Sequence, residues 1–294
     1  MIKKRNIFFI FSGALLLLGI LSLSVWGLNF GIEFTGGSLL EVKFAEDLPT
    51  TSEIRDILAE EDISSLVIQP TGDDSYILRF QEIEEATHQQ VFSRLQELNE
   101  NVEEKRFDAI GPVIGEELKK RTLWAIIISL IAIVSYIAWA FRKVSWPIAS
   151  WKYGLIAIIT LFHDLLIVLG IFSILGRFFN IEIGVPFVAA LMTILGYSVN
   201  DTIVIFDRVR ENLIKAKNEH FEDIIQHSVS QSYIRSINTS LTTLVVLGSI
   251  FFFGGETIKD FILALIIGVS FGTYSSLFIA SPLLVVWENL RHRR

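Results

Sequence analysis

Six stretches of the chain run apolar for about twenty residues with almost no charge, at residues 7–28, 122–141, 153–175, 184–206, 236–254 and 260–287. A helix needs about 20 such residues to cross roughly 30 Å of hydrocarbon, so the pattern predicts six membrane-spanning helices and not the core of a water-soluble bundle. The first span falls in residues 1–28. It follows Met1-Ile-Lys-Lys-Arg5 and shows no small-residue cleavage site, so it reads as a retained helix and not as a removed signal peptide.

Residues 29–121 carry a different pattern. Period-two alternation predicts strands at 38–44, 65–69, 75–80 and 101–109, helical spacing predicts helices at 51–61 and 84–99, and Pro70-Thr-Gly-Asp73 reads as a turn. The order βαββαβ is the split βαβ of the ferredoxin-like arrangement, two helices on one face of a four-stranded antiparallel sheet. The predicted fold class is therefore an α-helical membrane protein with six transmembrane helices plus one α+β ferredoxin-like domain. Residues 1–28 hold the first span, 29–121 the domain and 122–294 the remaining five. Such a domain hosts many activities and names none.

Charge sets the expected orientation. The N-terminus, residues 142–152, residues 207–235 and the C-terminus together hold 14 Lys and Arg, among them Arg142, Lys143, Lys217, Arg235, Arg293 and Arg294. The opposite short loops hold Arg177 and Lys259, so the positive-inside rule places both termini in the cytoplasm and residues 29–121 outside. That outer segment has 21 acids and 9 bases, a net charge of −12. Trp26, Trp124, Trp139, Trp146, Trp151 and Trp287 fall near span ends, where an indole sits at headgroup level.

Composition narrows the chemistry. The absence of Cys excludes disulfides, thiolate zinc sites and thiol nucleophiles. With five His and no HExxH, no metal site is expected, and neither a catalytic residue, a cofactor nor a nucleic-acid partner is indicated. The lipid bilayer is the first partner, since 51% of the residues are hydrophobic.

Charge inside a span is the strongest functional signal. A carboxylate at mid-membrane costs roughly 2.5–3.5 kcal/mol on insertion scales, so Asp201 in the fourth span is a functional candidate by default. Thr193, Tyr197 and Asp201 recur every four residues as a polar stripe, with Ser198 and Asn200 beside it. Arg235 opens the fifth span and Thr239, Thr242 and Thr243 continue its face. If the fourth and fifth spans are neighbours, Arg235 is expected to reach Asp201 from the cytoplasmic side; the rival reading makes it a snorkelling, positive-inside anchor. Asp164 in the third span is a second candidate. His163 precedes it, but neighbouring helix residues point about 100° apart and should pair poorly. Gly268 and Gly272, followed by Ser275 and Ser276, form a small-xxx-small face for helix packing.

Several of these segments resemble the SecF family of protein-export subunits, nearly end to end. Asn29-Phe-Gly31-Ile-Glu33-Phe-Thr-Gly36-Gly37 is similar to the family's glycine–hydrophobic–acid–Phe–x–Gly–Gly element, with Glu33 where Asp is common. Gly111-Pro112-Val113 before the second span, Gly196 to Asn212 and Gly268 to Ser276 match further family segments. The resemblance implies pairing with SecD in a twelve-helix unit of the resistance-nodulation-division superfamily, in the inner membrane. It further implies work with the SecYEG channel on exported, unfolded polypeptide, driven by the proton-motive force. Asp201 and Arg235 fall on positions that the family uses for proton movement.

Two other readings use the same residues. A proton-coupled small-molecule efflux subunit shares the helices and charges, but such pumps carry larger outer inserts in both halves of one long chain. An intramembrane aspartyl protease requires Asp164 and Asp201 to share a proton at close range, and the GxGD context of such proteases is missing.

Overall fold

The computed structural model describes residues 2–45, 48–61, 63–72, 74–140, 150–216, 219–255 and 258–292. Asp73, Arg142, Lys143, Trp146, Lys217, Arg293 and Arg294 lie outside the described residues. The chain divides into two compact units, Phe30–Leu123 on the one hand and Met1–Asn29 with Trp124–Arg294 on the other.

The smaller unit opens with a short helix, α2 (Ile32–Thr35), after the first long helix α1 (Arg5–Val25). Gly36 and Gly37 then carry the chain into β1 (Gly37–Phe44) with φ of +75° and +126°. A Cβ on Gly36 would stand 2.7 Å from the Pro112 Cα, and one on Gly37 2.8 Å from the Phe80 carbonyl oxygen. Conformation and space both require glycine here.

The unit continues through α3 (Thr51–Ile57), β2 (Val67–Thr71), β3 (Ser75–Phe80), α4 (Glu85–Leu98) and β4 (Val102–Ile110). The antiparallel sheet has the order β2-β3-β1-β4, that of a ferredoxin-like split βαβ. Alternate residues of the central strands, Leu40, Val42 and Phe44 with Tyr76, Leu78 and Phe80, pack under Ile54 of α3, Leu58 at its C-terminal cap, and Val91 and Leu95 of α4.

Two local expectations change. Pro70 and Thr71 belong to β2 and not to a turn; β2 is the sheet's edge, where a proline costs no ladder bond. The helix expected at 51–61 stops at Ile57. It starts on a capping box, in which Thr50 Oγ1 accepts from the Glu53 amide and Glu53 Oε2 accepts from the Thr50 amide at 2.7 Å.

Among the described residues, six helical segments are long and apolar enough to cross a membrane: Ile2–Val25, Pro112–Trp139, Trp151–Phe179, Val185–Lys215, Phe221–Phe253 and Lys259–Leu290. They correspond to α1, α5 (Pro112–Ala140), α6 (Ser150–Phe179), α7 (Val185–Lys215), α8 (Phe221–Phe253) and a composite of α9 (Lys259–Ser275) and α10 (Ser281–His292). The chain is a multi-pass membrane protein with one small α+β unit.

Several helices outrun their apolar windows. α5 begins at Pro112, α7 runs to Lys215 and α8 starts at Phe221, so much of residues 207–235 is helical and not a loop. Polarity marks where a helix leaves hydrocarbon, not where it ends. The polar ends are laced by pairs at helical spacing, Glu117 with Arg121, Arg208 with Glu211 and Glu211 with Lys215.

α1 packs on α6, where a Cβ on Gly170 would lie only 2.4 Å from the Gly19 Cα and Ser22 Oγ donates to the Gly170 carbonyl at 3.0 Å. α7, α8 and α9 pack on one another, with α6 against α7 and α9. The sixth span widens into one π turn at Ser276–Ala280. Pro282 follows it; a helical proline lacks its amide donor and clashes with the carbonyl four residues back, which the wider turn relieves. Large apolar side chains of α5 (Ile128, Ile131) and α8 (Leu241, Val245) stay exposed, as lipid or a partner helix permits.

Candidate functional site

Helix α7 carries Asp201 inward, 8% exposed, at its packing surface with α8. Its Oδ1 accepts a hydrogen bond from Ser236 Oγ of α8 at 2.9 Å. Its Oδ2 is buried and has no hydrogen-bond partner among the described residues. Beside it a cavity of about 250 Å³ is lined by Tyr197, Asn200, Asp201, Thr239, Thr242 and Thr243. A buried carboxyl oxygen with no partner, on a residue that lines a polar cavity, is a place where a proton can reside.

The polar stripe read from the sequence divides. Tyr197, Asn200 and Asp201 meet Thr239 at the cavity, and the Tyr197 hydroxyl donates to Ser240 Oγ at 3.2 Å. Thr193 is exposed and returns its hydroxyl to the Ala189 carbonyl of its own helix, so it stays outside the group. Thr239 donates to the Arg235 and Ser236 carbonyls at 2.8 and 3.0 Å.

Arg235 does not make the direct contact expected of it. It is exposed and lines a separate cavity with Arg208 and Arg210, and no ion pair joins it to Asp201 among the described residues. Its charge reaches Asp201 through space only. The nearer partner is Ser236. Because α8 starts at Phe221, Arg235 lies well inside a helix, and it is the next residue that points at α7.

Ser236 went unnoticed in the sequence, although a signal existed. Ser228, Ser232, Ser236 and Ser240 recur every four residues and are all buried, so they form an inward stripe beside the more visible threonines.

Asp164 is placed differently. It is 1% exposed, and both oxygens are occupied: Oδ1 faces His163 Nδ1 at 2.9 Å, while Oδ2 accepts from Ser198 Oγ of α7 at 2.6 Å and Ser275 Oγ of α9 at 2.8 Å. The His163–Asp164 contact corrects the expectation that sequence neighbours pair poorly. Side chains of this length bend back across the angle between their Cβ directions when burial removes water as a competitor. The two carboxylates thus belong to separate hydrogen-bonded sets.

Gly268 and Gly272 lie against α7. A Cβ on Gly268 would meet Ile194 at 2.2 Å, and one on Gly272 would meet the Ser198 Cβ at 3.0 Å. Close approach at Gly272 lets the serines just beyond it reach partners, Ser275 at Asp164 and Ser276 at Thr202 Oγ1, 2.8 Å away.

Comparison with known proteins agrees with this architecture. The family "Protein export membrane protein SecD/SecF, C-terminal" matches residues 90–290, and the "SecD/SecF GG Motif" matches residues 22–47, which include Gly36 and Gly37. Protein translocase subunit SecF of Thermobaculum terrenum is 40% identical over 98% of this chain and 93% of the relative. The crystal structure of SecDF, a translocon-associated membrane protein from Thermus thermophilus, is 30% identical with a TM-score of 0.86 over 98% of this chain. This chain spans 38% of that longer SecDF chain. A SecDF structure in a super-membrane-facing form is 32% identical over 96% of this chain, with a TM-score of 0.68. With a family match across two thirds of its length and a near full-length SecF relative, this chain belongs to the SecF subunits of the SecD/SecF protein-export family.

Proposed function

We propose that this chain is one six-helix half of a SecD–SecF unit that uses the proton-motive force to help draw exported, unfolded polypeptide through SecYEG. Both termini lie in the cytoplasm and the ferredoxin-like unit lies outside, an orientation supported by the asymmetry of Lys and Arg. The exposed apolar faces of α5 and α8 suit a second set of helices supplied by SecD.

The observation that carries the coupling role is the unpartnered Oδ2 of Asp201 at a polar cavity. Protonation removes a charge that hydrocarbon disfavours, and deprotonation restores one that Ser236 alone cannot satisfy and that Arg235 is placed to attract. Alternation between these states changes how α7 and α8 hold each other. The outer unit is proposed to move with that change while it holds the emerging chain. Asp164, bonded on both oxygens, serves as the fixed point where α6, α7 and α9 meet.

The test is preprotein export into vesicles that contain SecYEG, SecD and this chain, with and without a proton gradient. Asp201→Asn is expected to reduce gradient-stimulated export to the no-gradient level while assembly with SecD is retained. Normal stimulation in that variant would remove Asp201 from the mechanism.

A further inference from the structure

At the charged end of the α7–α8 pair a cavity of about 320 Å³ is lined by Arg208, Arg210, Arg235 and Asp207, and on its inner side by Ile203 and Val204. Gln231 and Ser232 complete its polar wall. Arg208 holds Glu211 at 2.6 Å, Arg210 reaches Asp207 at 3.4 Å, and Arg235 makes no ion pair among the described residues. A guanidinium has five donors, so one carboxylate contact each leaves Arg208 and Arg210 with free N–H groups.

Three arginines and Asp207 line the cavity and Glu211 stands against Arg208, which leaves a net positive lining suited to an anion. Planar guanidinium forks suit phosphate oxygens better than a point charge would. The apolar inner wall narrows the ligand further. Inorganic phosphate gains nothing from Ile203 and Val204, whereas a phospholipid carries its glycerol and chains immediately beneath the phosphate. Basic pockets between spans take anionic headgroups for this reason.

We propose that this cavity binds the phosphate of an anionic phospholipid, with Arg208 and Arg210 at its rim and Arg235 at its deeper side. Arg235 then has two anions competing for it, the headgroup phosphate and Asp201. A seated lipid draws the guanidinium toward the cavity and leaves Asp201 with Ser236 alone. That consequence rests on the coupling role proposed above, but the binding itself does not.

Native mass spectrometry of the full chain in detergent, titrated separately with phosphatidylglycerol, phosphatidylcholine and inorganic phosphate, tests the binding. The expected result is a phosphatidylglycerol adduct at concentrations at least about tenfold below those needed for phosphatidylcholine. Each of Arg208→Gln and Arg210→Gln should weaken it about tenfold, the usual scale for one charge-assisted contact. Arg208→Lys keeps the charge and should lose a smaller part of the affinity. Equal binding of the two lipids, indifference to the arginine variants, or capture of inorganic phosphate without a lipid preference would overturn the proposal. So would loss of the adduct on assembly with SecD, which would give the cavity to an acidic segment of that partner. Failure of Asp201→Asn to affect export would leave all of these readouts unchanged, so the two proposals fail separately.

Discussion

Asp164 and Asp201 are both carboxylates buried among the same packed helices, yet their surroundings differ in kind. Three side chains from α6, α7 and α9 occupy both oxygens of Asp164, whereas one serine meets Asp201 and a cavity lies beside it. Satisfied polar networks in a dry setting specify one arrangement of helices; a half-satisfied group has somewhere else to go. The contrast separates an anchor from a working residue, which residue type and depth alone do not.

The contrast is broken most directly by replacing each acid, Asp201 by its amide and Asp164 by alanine. Asp201→Asn should remove all gradient-dependent export and shift unfolding in detergent by under about 0.6 kcal/mol, the mean for one interhelical hydrogen bond. Asp164→Ala should do the reverse. Three bonds at roughly 0.6–1.7 kcal/mol each amount to about 2 kcal/mol or more, read as a lower unfolding midpoint. Equal stability losses in the two variants would erase the distinction.

Packing sharpens the same comparison. Gly170→Ala places a methyl group on the Gly19 backbone, and a cost of about 1–3 kcal/mol is expected for forcing α1 from α6. Because neither carboxylate is touched, the proton dependence of the remaining activity should be unchanged; an altered dependence would tie the α1–α6 contact to coupling.

The smallest effect belongs to the outer unit. Thr50→Ala removes the cap of α3 and should cost about 1 kcal/mol, visible as faster amide exchange in that helix alone. Hydrogen bonds from the Thr50 backbone and hydroxyl hold the Glu53 carboxyl below its usual range. The part of the cap that depends on the Glu53 charge is therefore complete above the unfolded value of about 4.3 and fades as pH falls through the lower folded value. The difference between parent and variant should shrink in acid to what the bond from the Glu53 amide to Thr50 Oγ1 contributes.

Much of this was legible in the chain. The six spans and the βαββαβ order follow from period and length, which act locally and leave a regular trace. The site was legible to the extent that one helix face carries it: Tyr197, Asn200 and Asp201 repeat at helical spacing and reach one cavity. What crosses between helices was not. Whether Arg235 or Ser236 meets Asp201 depends on the rotation of α8, and one residue of helix turns a side chain by about 100°. The partners of Asp164 lie on two distant segments, and the Gly19–Gly170 contact joins small residues that each look unremarkable in sequence.

The central claim is that Asp201 gains and loses a proton while Asp164 keeps its hydrogen bonds. Infrared difference spectroscopy of the SecD-bound protein across a pH step measures the carboxyl C=O band directly. The account predicts a protonation band that disappears in Asp201→Asn and persists in Asp164→Asn. A band indifferent to Asp201→Asn, or none at any pH that supports export, would contradict it.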